Sequence, residues 1–262
     1  MEHKTTLKTS NLSIGYADSK QVNCIASAVN ITLKKGKLIA LIGANGIGKS
    51  TLLRTLTGIQ KPLSGEIDLN EKPLHSFESL ELAQQMSLVL TEKLPPSNLT
   101  VYELIALGRQ PYTNWIGKLS ELDRHKIDEA IALTQVEALL AKKHYEISDG
   151  QLQIVLIARA LAQDTDLIIL DEPTTHLDLK HKVSLFRLLK KLTQETQKCI
   201  LFSTHDIDMA IQLSDEIIVM NERKTIQDKP SALIANGVLN TLFSDEHLFF
   251  DAVTGKFIFR NL

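Results

Sequence analysis

The sequence predicts an α/β fold built on a largely parallel sheet, and three observations carry that expectation. From residue 167 onward, short apolar runs alternate with helix-period stretches, as strands do when helices cover both faces of a sheet. An apolar run at 37–42 leads straight into a glycine-rich turn and a helical stretch, which is the order strand, turn, helix. The 262 residues are 44% hydrophobic with only 12 Gly and 7 Pro, enough apolar material for one large domain and little for long irregular segments.

Taken in order, residues 7–16 read as a strand, 17–20 as a turn and 22–33 as a second strand. Lys34-Lys35-Gly36 is a polar turn before the buried strand at 37–42. A helix is expected from Gly48, with Leu52, Leu53 and Leu56 on one face and Gly58 at its stop. Residues 65–69 and 86–90 read as short strands. From 100 to 163 the pattern is helical, with Ser120-Glu121-Leu122-Asp123 as a capping box and Ile127, Ile131, Val136, Leu139 and Leu140 as an apolar stripe behind it. Such a block inserted in an alternating chain predicts a helical subdomain. Alternation then returns: strands at 167–170, 199–203 and 216–220, and helices at 178–195 and 206–213. The tail is expected to hold two short helices and a hairpin, 249–253 with 256–259, about Thr254-Gly255.

Composition excludes several classes. Lys+Arg number 29 against 31 Asp+Glu, a net charge of -2, without the basic excess of a nucleic-acid binder. The longest apolar stretches, 38–44 and 167–170, fall far short of the ~18–20 residues of a membrane span. The opening MEHKTTLKTS has no apolar run, so no signal peptide is expected. Cys24 and Cys199 sit in strand-like runs without a second cysteine at ligand spacing, and both are expected to be buried free thiols in a reducing compartment.

Gly43-Ala44-Asn45-Gly46-Ile47-Gly48-Lys49-Ser50 fits G-x-x-x-x-G-K-[ST] in the required place, after a strand and before a helix. The glycines let the backbone curl so that amide N–H groups point at phosphate oxygens, and the helix N-terminus adds its positive end. Residues Gly43 through Thr51 are therefore expected to bind a nucleotide. Lys49 supplies a point charge for the β- and γ-phosphates and the Ser50 hydroxyl a ligand for Mg²⁺.

Residues 167–172 form an apolar strand ended by Asp171-Glu172. Asp171 is placed to hold Mg²⁺, and Glu172 to orient or deprotonate an attacking water. His205 ends another apolar strand in the same way. Ligands of parallel sheets gather at such carboxyl ends, so His205 is expected to meet the γ-phosphate or the water.

With these motifs, Ile147-Ser148-Asp149-Gly150-Gln151 resembles the signature loop, usually Leu-Ser-Gly-Gly-Gln, of the ATP-binding subunits of ABC transporters. The resemblance extends over nearly the whole chain. It implies an ABC ATPase fold: a P-loop core (1–91 and 159–222) with an N-terminal antiparallel β subdomain, a helical subdomain (92–158) carrying the signature loop, and a C-terminal tail (223–262). It places Tyr16 against adenine. Ser148, Gly150 and Gln151 ahead of a helix at 152–163, together with Asp178 of Thr175-His176-Leu177-Asp178, would reach the ATP of a second subunit. Glu92 stands where the family usually has Gln and is expected to ligate Mg²⁺. Ile154 stands where Arg or Lys is usual. His176 reads as a dimer-surface residue.

The segment 94–109 with Pro111-Tyr112 looks like importers of iron chelates, haem and cobalamin. The implied function is ATP hydrolysis, with Mg²⁺, driving uptake of such a chelate. The implied assembly is a head-to-tail homodimer on two membrane permease subunits, peripheral at the cytoplasmic face of the inner membrane and served indirectly by a periplasmic or surface substrate-binding protein. Three rivals stand beside this reading. A soluble ABC ATPase would usually carry two cassettes or long coiled-coil insertions. A nucleotide-binding regulatory module would not need Glu172 and His205. An importer of another substrate, such as zinc or an amino acid, would share every motif.

Overall fold

The computed structural model describes residues 4–17, 21–90, 94–95, 97–175, 177–222, 224–242, 248–251 and 254–259. Glu92 and His176 lie outside the described residues. The chain opens with β1 (Thr5–Ala17), β2 (Val22–Val29) and β3 (Thr32–Lys34), then β4 (Leu38–Gly43) and α1 (Lys49–Leu56). The single strand expected at 22–33 is two. β2 and β3 both pair antiparallel with β1, and the side chain of Asn30 breaks the ladder between them. Asn30 Oδ1 accepts from the Asn11 N–H at 2.8 Å and its Nδ2 donates to Ala28 O at 2.9 Å, taking backbone groups that a continuous strand would pair with each other. Cys24 is exposed rather than buried, because β2 is the edge of its sheet and its first three residues lie open among the described residues. Cys199 is buried as expected, and burial pushes its thiol pKa up.

β5 (Ser64–Leu69) and β6 (Lys72–Pro73) complete the antiparallel sheet, in the order β2-β1-β5-β6 with β3 on β1. After α2 (Ser79–Ala83) and β7 (Met86–Val89) comes the helical block: α3 (Val101–Ala106), α4 (Glu121–Thr134) and α5 (Asp149–Ala162). The capping box at α4 is present, with Ser120 Oγ accepting from the Asp123 N–H at 3.2 Å and Asp123 Oδ2 accepting from Ser120 N–H at 2.9 Å. α5 starts three residues before the expected 152 and runs unbroken through 158, so no boundary in the backbone separates 158 from 159.

β8 (Leu167–Leu170), α6 (Leu179–Thr196), β9 (Cys199–Ser203), α7 (Ile207–Leu213) and β10 (Glu216–Met220) follow as expected. β11 (Thr225–Asp228), which the tail was not expected to contain, folds back antiparallel on β10. Its Thr-Ile-Gln-Asp sequence carries little strand signal, and the neighbouring β10 supplies the pairing. One short helix, α8 (Pro230–Ala235), and a helical turn at Val238–Thr241 precede the hairpin β12 (Leu248–Asp251) and β13 (Lys256–Phe259).

The main sheet has the order β11-β10-β4-β9-β8-β7 and is parallel except at β11. Both its faces are buried. Leu38, Ala40 and Ile42 of β4 face the core shared with α3 to α7, while Ile39 and Leu41 face α1 and the antiparallel sheet. Period-2 alternation thus serves two cores, which is why β4 reads as a continuous apolar run. In the helical block, Arg109 Nε donates to Asp123 Oδ1 at 2.9 Å with both side chains 4% exposed, and Arg109 Nη1 donates to Ala162 O at 2.8 Å. Through these two bonds Arg109 fastens Asp123 of α4 to Ala162 of α5.

Candidate nucleotide site

β4 ends at Gly43 and α1 begins at Lys49, so the five residues between must reverse the chain in little space. Gly48 makes the turn with φ 108°, and a Cβ there would stand 2.3 Å from Ile25 Cγ2. Both the dihedral and the contact exclude other residues. No side chain caps α1, and its first turn holds no acid. Its N–H groups are left facing the loop, the arrangement that binds an anion.

Lys49 is 5% exposed. Its Nζ donates to Gly43 O at 3.0 Å and Ala44 O at 3.3 Å. Burial pulls its pKa below the usual lysine range, opposed by the charges of Glu172 and Asp171. The ammonium is thus held against the loop by carbonyls that a phosphate can outcompete.

Asp171 and Glu172 follow β8, which lies two strands from β4, about 10 Å at ordinary strand spacing. β9 fills the interval, and its last residue joins the two sides. The buried Ser203 Oγ donates to Asp171 Oδ1 at 2.7 Å and accepts from the Glu172 N–H at 2.8 Å. From the other side, Ser50 Oγ donates to the same Asp171 Oδ1 at 3.3 Å. A hydroxyl and a carboxylate this close, both hard oxygen donors, suit a cation of the Mg²⁺ class, which takes one or two protein oxygens and completes its shell with water and phosphate. Among the described residues no larger cluster of metal-ligating side chains occurs.

Glu172 takes φ 46°, which turns it off the strand axis. His205 Nε2 donates to its Oε1 at 2.5 Å, and Thr175 Oγ1 to its Oε2 at 3.3 Å. Asn45, Gly46, Gly48, Lys49, Ser50, Thr51, Glu172 and His205 line one cavity of about 200 Å³. Tyr16 stands beside it, half-exposed, with its hydroxyl 3.2 Å from Thr51 Oγ1.

The structure therefore brings the phosphate loop, Asp171, Glu172, His205 and Tyr16 together. Ser148, Gly150, Gln151 and Asp178 do not line this cavity. Ser148 caps α5, accepting from the Gln151 N–H at 3.3 Å while Gln151 Oε1 accepts from Ser148 N–H at 3.0 Å. Asp178 caps α6, accepting from the His181 N–H at 2.9 Å. Ile154 packs partly buried against the core. The residue that sequence reasoning missed is Ser203. A serine ending an apolar strand one residue before Thr204-His205 was its only signal.

The ABC transporter family model matches residues 26–175. An uncharacterized ABC transporter ATP-binding protein of Methanocaldococcus jannaschii, MJ0873, is 38% identical over 256 residues, covering 97% of this chain and 87% of that protein. The iron(3+)-hydroxamate import ATP-binding protein FhuC of Bacillus subtilis is 36% identical over 253 residues, covering 96% of this chain and 93% of that protein. Among solved structures, the ATP-binding cassette MJ0796, a dimer in a post-hydrolysis state bound to ADP and Pi, superposes with a TM-score of 0.72 at 29% identity, covering 86% of this chain and 98% of that one.

Proposed function

The chain belongs to the ABC transporter family as an ATP-binding, ATP-hydrolysing subunit, and from that premise we propose that it powers import of an iron chelate of the siderophore class through a membrane permease. The observation that carries the chemistry is the Ser203-centred network, which joins Ser50, Asp171, Glu172 and His205 around the phosphate-loop cavity. The relative named for iron(3+)-hydroxamate import supports the substrate class.

In this reading ATP lies along the α1 N-terminus, with adenine against the Tyr16 ring. Lys49 exchanges its carbonyl partners for phosphate oxygens. Ser50 and Asp171 would hold Mg²⁺, with Glu92 proposed as a further ligand, and the cation when bound would neutralise charge on the β- and γ-phosphates. Glu172 orients the attacking water and takes its proton on Oε2, the oxygen with only the 3.3 Å contact from Thr175. His205 keeps the carboxylate aimed from the end of β9.

The cavity is open, with Tyr16 and His205 both half-exposed at its mouth. A second copy packed head to tail would close it with Ser148, Gly150, Gln151 and Asp178, and the similar cassette, a dimer, supports the pairing of two copies. The helical subdomain, 92–158, exposes Trp115 at 93% and Ile116 at 69%, an apolar surface suited to a partner. Two permease subunits are its proposed partners, with a substrate-binding protein acting from the far side. Among the described residues no helix is long and apolar enough to cross a membrane; a peripheral place on the cytoplasmic face belongs to the proposal that the chain docks on permease subunits.

Reconstitution with the permease in proteoliposomes tests the proposal. Ferric hydroxamate should stimulate phosphate release and accumulate inside. Stimulation by haem, cobalamin, zinc or an amino acid instead would reassign the substrate, and hydrolysis indifferent to any permease would remove transport from the account.

A further inference from the structure

The first turns of α5 and α6 meet at one side chain. His181 presents two donors to the same oxygen: its backbone N–H reaches Asp178 Oδ1 at 2.9 Å and its ring Nδ1 at 2.7 Å. The backbone bond, then the ring bond, hold the Asp178 carboxyl below the usual carboxylate range. A carboxylate only accepts, so the ring proton sits on Nδ1. Asp178 Oδ2 has no hydrogen-bond partner among the described residues. The other contact of the ring is α5. A Cβ at Gly150 would stand 3.3 Å from His181 Cδ2 and 3.5 Å from Leu177 Cδ2, so the glycine lets the turn at 148–151 rest against the imidazole.

Both side chains of the pair are more than half exposed, 53% for His181 and 66% for Asp178. An exposed pair of this kind adds little to stability, and the α6 cap survives without the ring because the backbone N–H makes it. What the ring alone does is hold Oδ1 from a second direction, which sets where Oδ2 points, while lying against Gly150.

We infer that His181 is a positioning residue of the composite ATP site, carrying the Asp178 carboxylate and the Gly150 turn as one unit toward the nucleotide of the second copy. The inference rests on the reading that a second copy completes the site. It gives the two lent groups a common reference, so that they arrive together.

The test uses the full chain in a Glu172→Gln background, where ATP should accumulate the dimer, read by size-exclusion with light scattering. Adding His181→Ala should raise the ATP concentration for half-dimerisation by up to about tenfold, the scale of one ordinary hydrogen bond at an exposed site. The affinity of the dilute monomer for a fluorescent ATP analogue, and the thermal midpoint, should stay put. His181→Asn, whose amide N–H stands near the place of Nδ1–H, should recover most of the loss. His181→Leu, which fills the space against Gly150 but donates nothing, should not. Dimerisation of the alanine variant at the parental ATP concentration, or equal behaviour of the Asn and Leu variants, overturns the inference. A Glu172→Gln parent that stays monomeric with ATP overturns the composite-site reading on which it stands.

Discussion

His205 Nε2 lies 2.5 Å from Glu172 Oε1, although the two residues end different strands of the main sheet. The acid is pinned at one oxygen and lightly held at the other, which is how a base is aimed without being neutralised. Glu172→Gln keeps the shape and loses the proton acceptor. Hydrolysis should fall about 10²–10⁴-fold, with Mg-ATP still bound. Single-turnover phosphate release alongside equilibrium nucleotide binding checks both halves, and near-normal release would acquit Glu172 as the base.

Lys49→Ala removes the one full positive charge in the phosphate loop. The amides that remain cannot replace it, so tight ATP binding should be lost. Calorimetric titration reads this directly, and near-native affinity would contradict the assignment of the loop.

Ser203→Ala takes a donor from buried Asp171 and an acceptor from the Glu172 N–H. Leaving a buried partner unsatisfied costs about 1–3 kcal/mol, so the denaturation midpoint should drop. The Mg²⁺ concentration for half-maximal hydrolysis should rise, because Asp171 Oδ1 then loses its 2.7 Å bond and keeps the longer 3.3 Å one from Ser50. Identical Mg²⁺ titrations for the two proteins would reduce Ser203 to packing.

Tyr16→Ala should weaken ATP and GTP alike by ~1–3 kcal/mol, the worth of stacking on a base. Tyr16→Phe separates that from the 3.2 Å contact to Thr51 and should bind as the native chain does. A Phe variant as weak as the Ala variant would assign the effect to the hydroxyl instead.

Asp123 offers a pH test of the helical block. Burial would raise its carboxyl pKa, but bonds from Ser120 and Arg109 outweigh it and hold the group below its ordinary range. A depressed folded value stabilises the protein above the unfolded pKa of about 3.9 and loses that contribution as pH falls below it. Asp123→Asn should flatten this part of the acid limb. At pH 7 it should cost about 3–5 kcal/mol, since Arg109 is left charged and buried without its partner. Urea melts at pH 3.5 and 7 measure both, and a pH-independent difference would locate the effect in packing alone.

The phosphate loop, the acid pair and His205 were legible from sequence because each is marked by a pattern local in the chain, even where, as for His205, the partner is distant. Gly43 to Ser50 is one turn, and Asp171-Glu172 is one strand end. Ser203 was not legible, because its role exists only once β9 is laid between β4 and β8. The start of α5 was misplaced because Asp149-Gly150 are poor helix formers, and the reciprocal bonds of Ser148 and Gln151 outweigh that preference. The break at Asn30 and the exposure of Cys24 depend on which strand of a sheet is its edge, and β11 depends on a partner strand. Those are properties of the assembled sheet, which one segment does not encode.

The place of β4 in that sheet has a consequence for biosynthesis. Leu38 faces Ile200 on one side and Ile39 faces Glu216 on the other, so both edges of the strand that ends in the phosphate loop wait for partners made about 160–180 residues later in the chain. Until β9 has left the ribosome β4 has two bare edges, and until β10 follows it has one, the kind of apolar segment that pairs with the wrong chain. The antiparallel sheet and the helical block can each condense early on contacts near in sequence. The strand that delivers the nucleotide loop is locked only once β10 is made. A nascent chain stalled short of β10 should carry its motif for ATP in a form that neither binds nor is safe from aggregation.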